Sequence, residues 1–273
     1  MQLASDTLAG ELIHRRFSSE IYPATTRDYW VYIPNGYHAD HASSLMVFQD
    51  GYQYINPDKP MNIPAVFDQL IETGDMPHTI AVFVNPGEVA VQEKPDHHPD
   101  TLRSIEYDTV SDQYARFLLT ELLPDALSGL NVSQDPKNRA IAGFSSGGIC
   151  AWTVAWYRSD QFSKVLSHCG SFVDIRGGGV YPYLIRNEHI KPIKVYLQSG
   201  EKDLDTRYGN WALGNQAMAS ALKFKGYHYQ FAFGQGGHTL EHGGKVLVDS
   251  LKWLWQDEPS TASQSAPAPA QYQ

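Results

Sequence analysis

The sequence predicts an α/β protein built on a mostly parallel central sheet with crossover helices, and three observations carry that expectation. Short runs of β-branched and aromatic residues alternate along the chain with amphipathic stretches, the pattern of strands joined by helices. A glycine-rich turn, Gly143-Phe144-Ser145-Ser146-Gly147-Gly148, stands between a strand pattern and a helix pattern. The chain has 273 residues, of which 42% are hydrophobic and 19% charged. A chain of this size removes roughly 75% of its unfolded surface from water, enough for one large domain without a disulfide framework or structural metal.

Strands are expected at 29–34, 45–49, 79–85, 139–142, 164–168, 193–198 and 227–233, each a short apolar or β-branched run. Between them, Pro64 opens a helix in its first turn and Gly74 closes it. Val110, Tyr114, Phe117 and Leu118 place an apolar stripe at helical spacing on the next. Leu213, Ala217, Ala221 and Phe224 repeat the pattern up to Gly226, and Leu247, Leu251 and Leu254 line one face of the last helix. These elements form a single domain over 1–258. The remainder, PSTASQSAPAPAQYQ at 259–273, is too poor in apolar residues to build a core and is expected to be disordered.

Composition removes several function classes. Lys and Arg number 21 against 30 Asp and Glu, for a formal net charge of -9. That is the wrong sign for a protein that covers a polyanion, so neither nucleic acid nor an anionic membrane is expected as a partner. No segment approaches the roughly 20 apolar residues of a membrane span, and MQLASDTLAGELIHRRF at the start holds no apolar run of signal length. The chain reads as soluble, cytoplasmic as given or exported after loss of a signal, and its oligomeric state stays open. Cys150 and Cys169 lie in apolar surroundings and are expected to be buried free thiols rather than a disulfide.

Ligands of such sheets sit at the carboxyl ends of the strands, so the loops that follow strands carry the chemistry. Ser145 follows one of them, in a G-x-S-x-G pattern on a tight strand-to-helix turn whose flanking glycines avoid a clash. The helix beyond directs N–H groups and the positive end of its dipole toward any anion formed at the serine. A serine hydroxyl needs a base, normally a histidine oriented by a carboxylate, in the order Ser, acid, His. Glu201, Asp203 and Asp205 follow the strand that ends at Ser199-Gly200, and G-x-x-D spacing selects Asp203, with Asp205 as its rival. Gly234-Gln-Gly-Gly-His238 then follows the last strand.

Of eleven histidines, His238 is the expected base and His242 the alternative, while His97 and His98 read as loop surface and His168, at a strand end, as a hydrogen-bonded structural residue ahead of a pocket-lining one. Glu241 and His242 lack partners at ligand spacing, so no metal and no cofactor are expected. An oxyanion hole needs two donors: the Ser146 N–H, and the amide of Gly51 or Tyr52 after the strand at 45–49. Asp50-Gly51 equally reads as a bare turn. Tyr52, Tyr54, Tyr181, Tyr183 and Trp211 suit stacking on a ring or sugar, or serve as partly buried loop anchors.

With these residues placed, the chain resembles the esterase family of α/β-hydrolases that includes enterochelin esterase, feruloyl esterases and related carbohydrate esterases. The resemblance runs from about Ser18 to Trp255. Its carriers are TTRDYWVYIP at 25–34, VFQDG at 47–51, RSIEYDTVSDQYARFLLTELLP at 103–124, AGFSSGG at 142–148, SHCGSF at 167–172, SGEKDLDTRYGNW at 199–211 and GQGGHTLEHGG at 234–244. It implies a three-layer α/β-hydrolase fold and hydrolysis of a carboxylic ester, aromatic or carbohydrate-linked, through an acyl-enzyme. The triad maps onto Ser145, Asp203 and His238, and the substrate is a small-molecule or glycan ester. Substrate contacts are expected at Asp50, Tyr54, Arg103, Glu106 and Trp211, with Arg103 and Glu106 either touching substrate or pairing with each other. Enterochelin esterases carry a separate domain ahead of the hydrolase domain, and the fewer than about 30 residues before the first expected strand point away from siderophore hydrolysis. The same triad also supports peptide hydrolysis or acyl transfer to another acceptor, and a non-catalytic carbohydrate-binding member of the fold is the reading outside enzymes.

Overall fold

The computed structural model describes residues 9–89 and 100–256; His97, His98 and the 259–273 segment lie outside them. The strands are β1 (Glu11–Ser19), β2 (Thr25–Ile33), β3 (Ser44–Gln49), β4 (Thr79–Val84), β5 (Glu88–Val89), β6 (Arg139–Phe144), β7 (Lys164–His168), β8 (Lys194–Lys202), β9 (Asp205–Thr206), β10 (Gly209–Asn210) and β11 (Tyr229–Gly237). The α-helices are α1 (Tyr52–Ile55), α2 (Ile63–Glu72), α3 (Asp100–Asp108), α4 (Gln113–Phe117), α5 (Leu123–Ala126), α6 (Ser146–Tyr157), α7 (Tyr181–Asn187), α8 (Trp211–Lys225), α9 (Leu240–Gly244) and α10 (Leu247–Trp255).

The main sheet runs β1-β2-β4-β3-β6-β7-β8-β11, with β5 beside β2, and β9 and β10 form a separate hairpin. From β4 through β11 every pair is parallel, whereas β1, β2 and β4 pair antiparallel. All seven expected strands are present. β1 was not anticipated because it is an edge strand: Glu11, His14, Arg15 and Arg16 are exposed and blur the alternation a half-buried strand shows.

Side chains alternate through the sheet into two apolar layers. Leu45, Val47, Ile80 and Val82 face one side, packed with α6 residues Ile149, Trp152 and Trp156. Met46, Phe48, Ala81 and Phe83 face the other, against Phe67 and Leu70 of α2 and Leu251 and Leu254 of α10. Strands covered on both faces read as continuous apolar runs, which is what β3 and β4 are. α6 is buried from Ser146 to Trp156. Trp152 is packed by Trp156, Tyr181 and Tyr227 at ring separations of 5.7, 6.2 and 6.2 Å. Cys150 and Cys169 are buried, unbonded thiols, and burial pushes both well above the ordinary thiol range. Among the described residues no helix is long and apolar enough to cross a membrane.

The expected helix through Val110 begins later. α3 ends at Asp108 and α4 starts at Gln113, followed by a π-helical turn at Leu118–Leu122. Between the two, Thr109 Oγ1 donates to the Ile105 carbonyl at 2.6 Å and Ser111 Oγ accepts from the Gln113 N–H at 3.3 Å. Such local side-chain bonds offer the backbone an alternative to the helix.

The Arg27 guanidinium forms a two-pronged pair with Glu106, at 2.6 and 3.0 Å, with both side chains sealed from solvent. It ties β2 to α3. The Gly87 N–H adds a bond to the same carboxylate at 3.2 Å, and the guanidinium stacks 4.1 Å from the Phe117 ring centroid. Glu106 is therefore not the partner of Arg103 and does not face a substrate, contrary to both readings of the sequence; strand β2, 79 residues away, supplies its cation. Removing one member leaves the other charge buried and unpaired. Glu106→Gln should cost about 3–5 kcal/mol in urea unfolding, and Arg27→Met with Glu106→Leu should recover most of that loss. An unchanged urea midpoint for Glu106→Gln would show that the pair holds nothing.

Candidate active site

The loop from β6 to α6 has a backbone that only a crowded, glycine-flanked turn provides. Ser145 adopts φ 59° and ψ -120°, far from helix or strand. A side-chain carbon on Gly143 would lie 2.2 Å from the backbone carbon and oxygen of Gly147, so the chain folds back on itself only with glycine at 143. The neighbouring strand holds the turn: the Ser145 N–H donates to the His168 carbonyl at 2.9 Å, and the Ser171 N–H donates to the Ser145 carbonyl at 3.0 Å.

The structure brings Ser145, His238 and Asp203 together across 93 and 35 residues of sequence separation. Ser145 Oγ lies 2.8 Å from His238 Nε2, and His238 Nδ1 lies 2.5 Å from Asp203 Oδ1. The carboxylate is acceptor-only when ionised, so Nδ1 carries the hydrogen and Nε2 accepts from the serine. Asp203 also accepts from Ser199 Oγ at 2.6 Å and from the Leu204 N–H at 2.8 Å. Burial opposes its ionisation, but the bonds from His238, Ser199 and Leu204 outweigh that and hold its carboxyl below the usual carboxylate range. Asp205 and Glu201 are exposed and make no such contact.

His242 is not at the serine. Its ring packs beneath the glycine loop, where a side-chain carbon on Gly236 would lie 2.4 Å from its Cγ, and Gln198 Nε2 donates to its Nδ1 at 3.0 Å. His168 departs from the hydrogen-bonded role expected of it: Nε2 has no partner among the described residues. Burial, then the neighbouring His242, lower its pKa to about 4, so the ring is neutral.

Several expected contacts belong to the scaffold instead. Tyr54 is 1% exposed and packs 5.1 Å from Phe48, so it is core and not a stacking surface. Trp211 is likewise buried, edge-on to His238 at 6.0 Å, and Tyr181 lies in the core. Asp50 does not reach outward: Arg103 clasps its carboxylate with two bonds of 2.7 Å, closing the loop after β3 against α3. Asp50 holds φ 57° in doing so.

Neither amide expected as second oxyanion donor is free. The Gly51 N–H donates to the Val84 carbonyl at 3.1 Å and the Tyr52 N–H to Asn85 Oδ1 at 3.0 Å. Ser146 opens α6, where the first N–H groups have no intrahelical acceptor. Ser171 and Ser199, which contact the serine and the acid, escaped sequence reading. The signal for Ser199 was its position at the carboxyl end of β8, four residues before Asp203.

Cys169 Sγ, an Asp203 oxygen and a His238 nitrogen lie within 4.8 Å of one another. As a metal site this set is poor, because a cation would have to break the 2.5 Å Asp203–His238 bond.

Comparison with known proteins follows the same outline. The esterase family, described as "Putative esterase", matches residues 22–254. The iron(III) enterobactin esterase of Dickeya dadantii (strain 3937) is 28% identical over 159 residues, 52% of this chain and 35% of that protein, so the chain spans about a third of its length. The uncharacterized protein YjcH of Bacillus subtilis (strain 168) is 23% identical over 227 residues, 81% of this chain and 88% of that one. Among solved structures, a ferulic acid esterase superposes with a TM-score of 0.70 at 19% identity, covering 90% of this chain and 98% of its own. The enterobactin esterase of Shigella flexneri gives 0.72 at 20% identity, covering 90% of this chain and 58% of its own. The fold is that of the α/β-hydrolase esterases, and the chain belongs to the esterase family.

Proposed function

We propose that the chain is a serine hydrolase of carboxylic esters, with Ser145 as nucleophile, His238 as general base and acid, and Asp203 as the group that orients the imidazole. The observation that carries this reading is the continuous chain from Ser145 Oγ through His238 to Asp203, at 2.8 and 2.5 Å, mounted on a strained turn at a helix N-terminus. As Ser145 Oγ attacks the ester carbon, His238 Nε2 takes its proton and the carbonyl electron pair moves onto oxygen. The Ser146 N–H and the positive end of α6 stabilise that oxyanion. His238 then protonates the departing alcohol, leaving an acyl-serine, and the same imidazole draws a proton from the water that releases the acid.

The substrate class is an aromatic or carbohydrate-linked ester. The ferulic acid and enterobactin esterases among the structural neighbours support a small-molecule ester substrate. So do the exposed Tyr52, which opens α1 just beyond β3, and Leu204, beside Asp203, which present apolar surface at the carboxyl end of the sheet.

Three measurements test this function. A fluorophosphonate should label the protein once, on Ser145, and Ser145→Ala should abolish labelling and lower kcat by roughly 10⁴-fold or more on a p-nitrophenyl ester; an adduct mapped to Ser146 or Ser171 would sink the assignment. Asp203→Asn should lower kcat by roughly 10⁴-fold by imposing the wrong tautomer on His238. Asp205→Asn and Glu201→Gln should stay near wild type, and the reverse pattern moves the acid to Asp205. The pH profile supplies the third check: because the Asp203 carboxyl is held below its ordinary range, its protonation should contribute to the acid loss of kcat/KM only below the usual carboxylate range. A carboxylate titrating at its ordinary value in that profile would contradict this.

A further inference from the structure

The hydrogen-bond chain at Ser145 continues past the serine. Ser171 Oγ lies 3.3 Å from Ser145 Oγ, and the Trp211 indole nitrogen lies 3.0 Å from the same Ser171 Oγ. Ser171 is 1% exposed and Trp211 4%, so bulk water competes for neither. The main chain fixes their places as well: the Ser171 N–H donates to the Ser145 carbonyl at 3.0 Å, and Asn215 Nδ2 donates to the Gly170 carbonyl at 2.9 Å.

The direction of each bond follows from what each group can do. An indole nitrogen only donates, so Trp211 occupies a lone pair of Ser171 Oγ and leaves that hydroxyl's own hydrogen in need of an acceptor. Among the described residues, the acceptor in reach is Ser145 Oγ. The Ser145 hydrogen in turn goes to His238 Nε2, because Nδ1–H is committed to Asp203. Donation therefore runs from Trp211 to Ser171, Ser145, His238 and Asp203.

We propose that Ser171, itself oriented by Trp211, is a positioning residue that fixes the Ser145 hydroxyl rotamer with its hydrogen facing His238 before the ester arrives. The proposal rests on the reading of Ser145 as nucleophile. An isolated serine hydroxyl rotates to suit its surroundings. With one lone pair of Ser145 Oγ accepting from Ser171 and its hydrogen given to His238, one lone pair remains, and it is the pair that attacks. In that step the Ser145 O–H bond breaks, His238 Nε2 gains the proton, and the oxygen–carbon bond forms as the carbonyl pair moves to oxygen. Ser171 keeps its hydrogen throughout.

Ser171→Ala, Ser171→Thr, Trp211→Phe, the Ser171→Ala/Trp211→Phe double variant and Ser145→Ala should be compared on one p-nitrophenyl ester, with thermal melting as the check of folding. Loss of one neutral hydrogen bond corresponds to roughly a tenfold effect. Ser171→Ala should lower kcat and the rate of fluorophosphonate inactivation by about that factor with KM unchanged. Ser171→Thr, which keeps the hydroxyl, should recover most of the loss. Trp211→Phe should lose less, and the double variant should be no worse than Ser171→Ala, because both changes break one chain. Wild-type kcat and inactivation rate in folded Ser171→Ala, a loss confined to KM, or full additivity in the double variant would each overturn the proposal. Retained turnover in Ser145→Ala would instead overturn the nucleophile reading itself. An inactive Ser145→Ala beside a fully active Ser171→Ala removes only the role given to Ser171.

Discussion

The contact between Gly143 and Gly147 is the constraint on which the rest of the site depends. β6 must deliver the chain into α6 within one residue, and the two backbones approach so closely that no side chain fits at 143. The strain is concentrated in Ser145, whose positive φ lifts it out of both elements. What over-determines that conformation is the burial of nearly all of α6 together with the bonds to His168 and Ser171 from the adjacent strand and its loop. A rigid core thus holds a local conformation that is costly in isolation.

Parallel pairing supplies the second half of the arrangement. β6, β7, β8 and β11 are successive neighbours in the sheet, so their carboxyl ends open along one edge and their following loops meet there. Ser145 follows β6, Ser171 lies beyond β7, Asp203 follows β8 and His238 follows β11. Each side chain is then fastened by its own loop or the next one. Asp203 takes bonds from Ser199 and Leu204, and the Asp50–Arg103 clasp shapes the loop beyond β3 on the other flank. The fully sealed Arg27–Glu106 pair joins the antiparallel part of the sheet to the same helix that carries Arg103.

Much of this was legible from residue order. Strands such as β3 and β4 announce themselves because, covered on both faces, they are short apolar runs, and the Ser-Asp-His order with glycines before Ser145 and His238 marks the three loops. β1 escaped because solvent on its outer edge admits charged residues. The partners of Arg103 and Glu106 escaped for a different reason: each lies in a strand or loop 53 or 79 residues away, and nothing local distinguishes Asp50 from a solvated turn residue or Arg27 from a surface cation. Aromatic residues misled in the same way. Tyr54 and Trp211 stand in loop-like sequence, yet helices that begin there, one of a single turn and one long, turn both into the interior. The oxyanion amides illustrate a limit of motif reading, since a motif names a residue while the hydrogen bonds of Gly51 and Tyr52 depend on Val84 and Asn85 across the sheet.

β11 closes the sheet at one margin and pairs only with β8 among the described residues, yet it delivers His238. A strand with a single hydrogen-bonded neighbour opens at a lower free energy than the interior strands that hold Ser145 and the loop of Asp203. The proposed base is thereby carried at a margin of the sheet, and the proposed nucleophile in its interior. On the proposed reading, an opening confined to β11 would separate His238 from Ser145 while β6 and β7 stay paired, and in synthesis Ser145 precedes His238 by 93 residues.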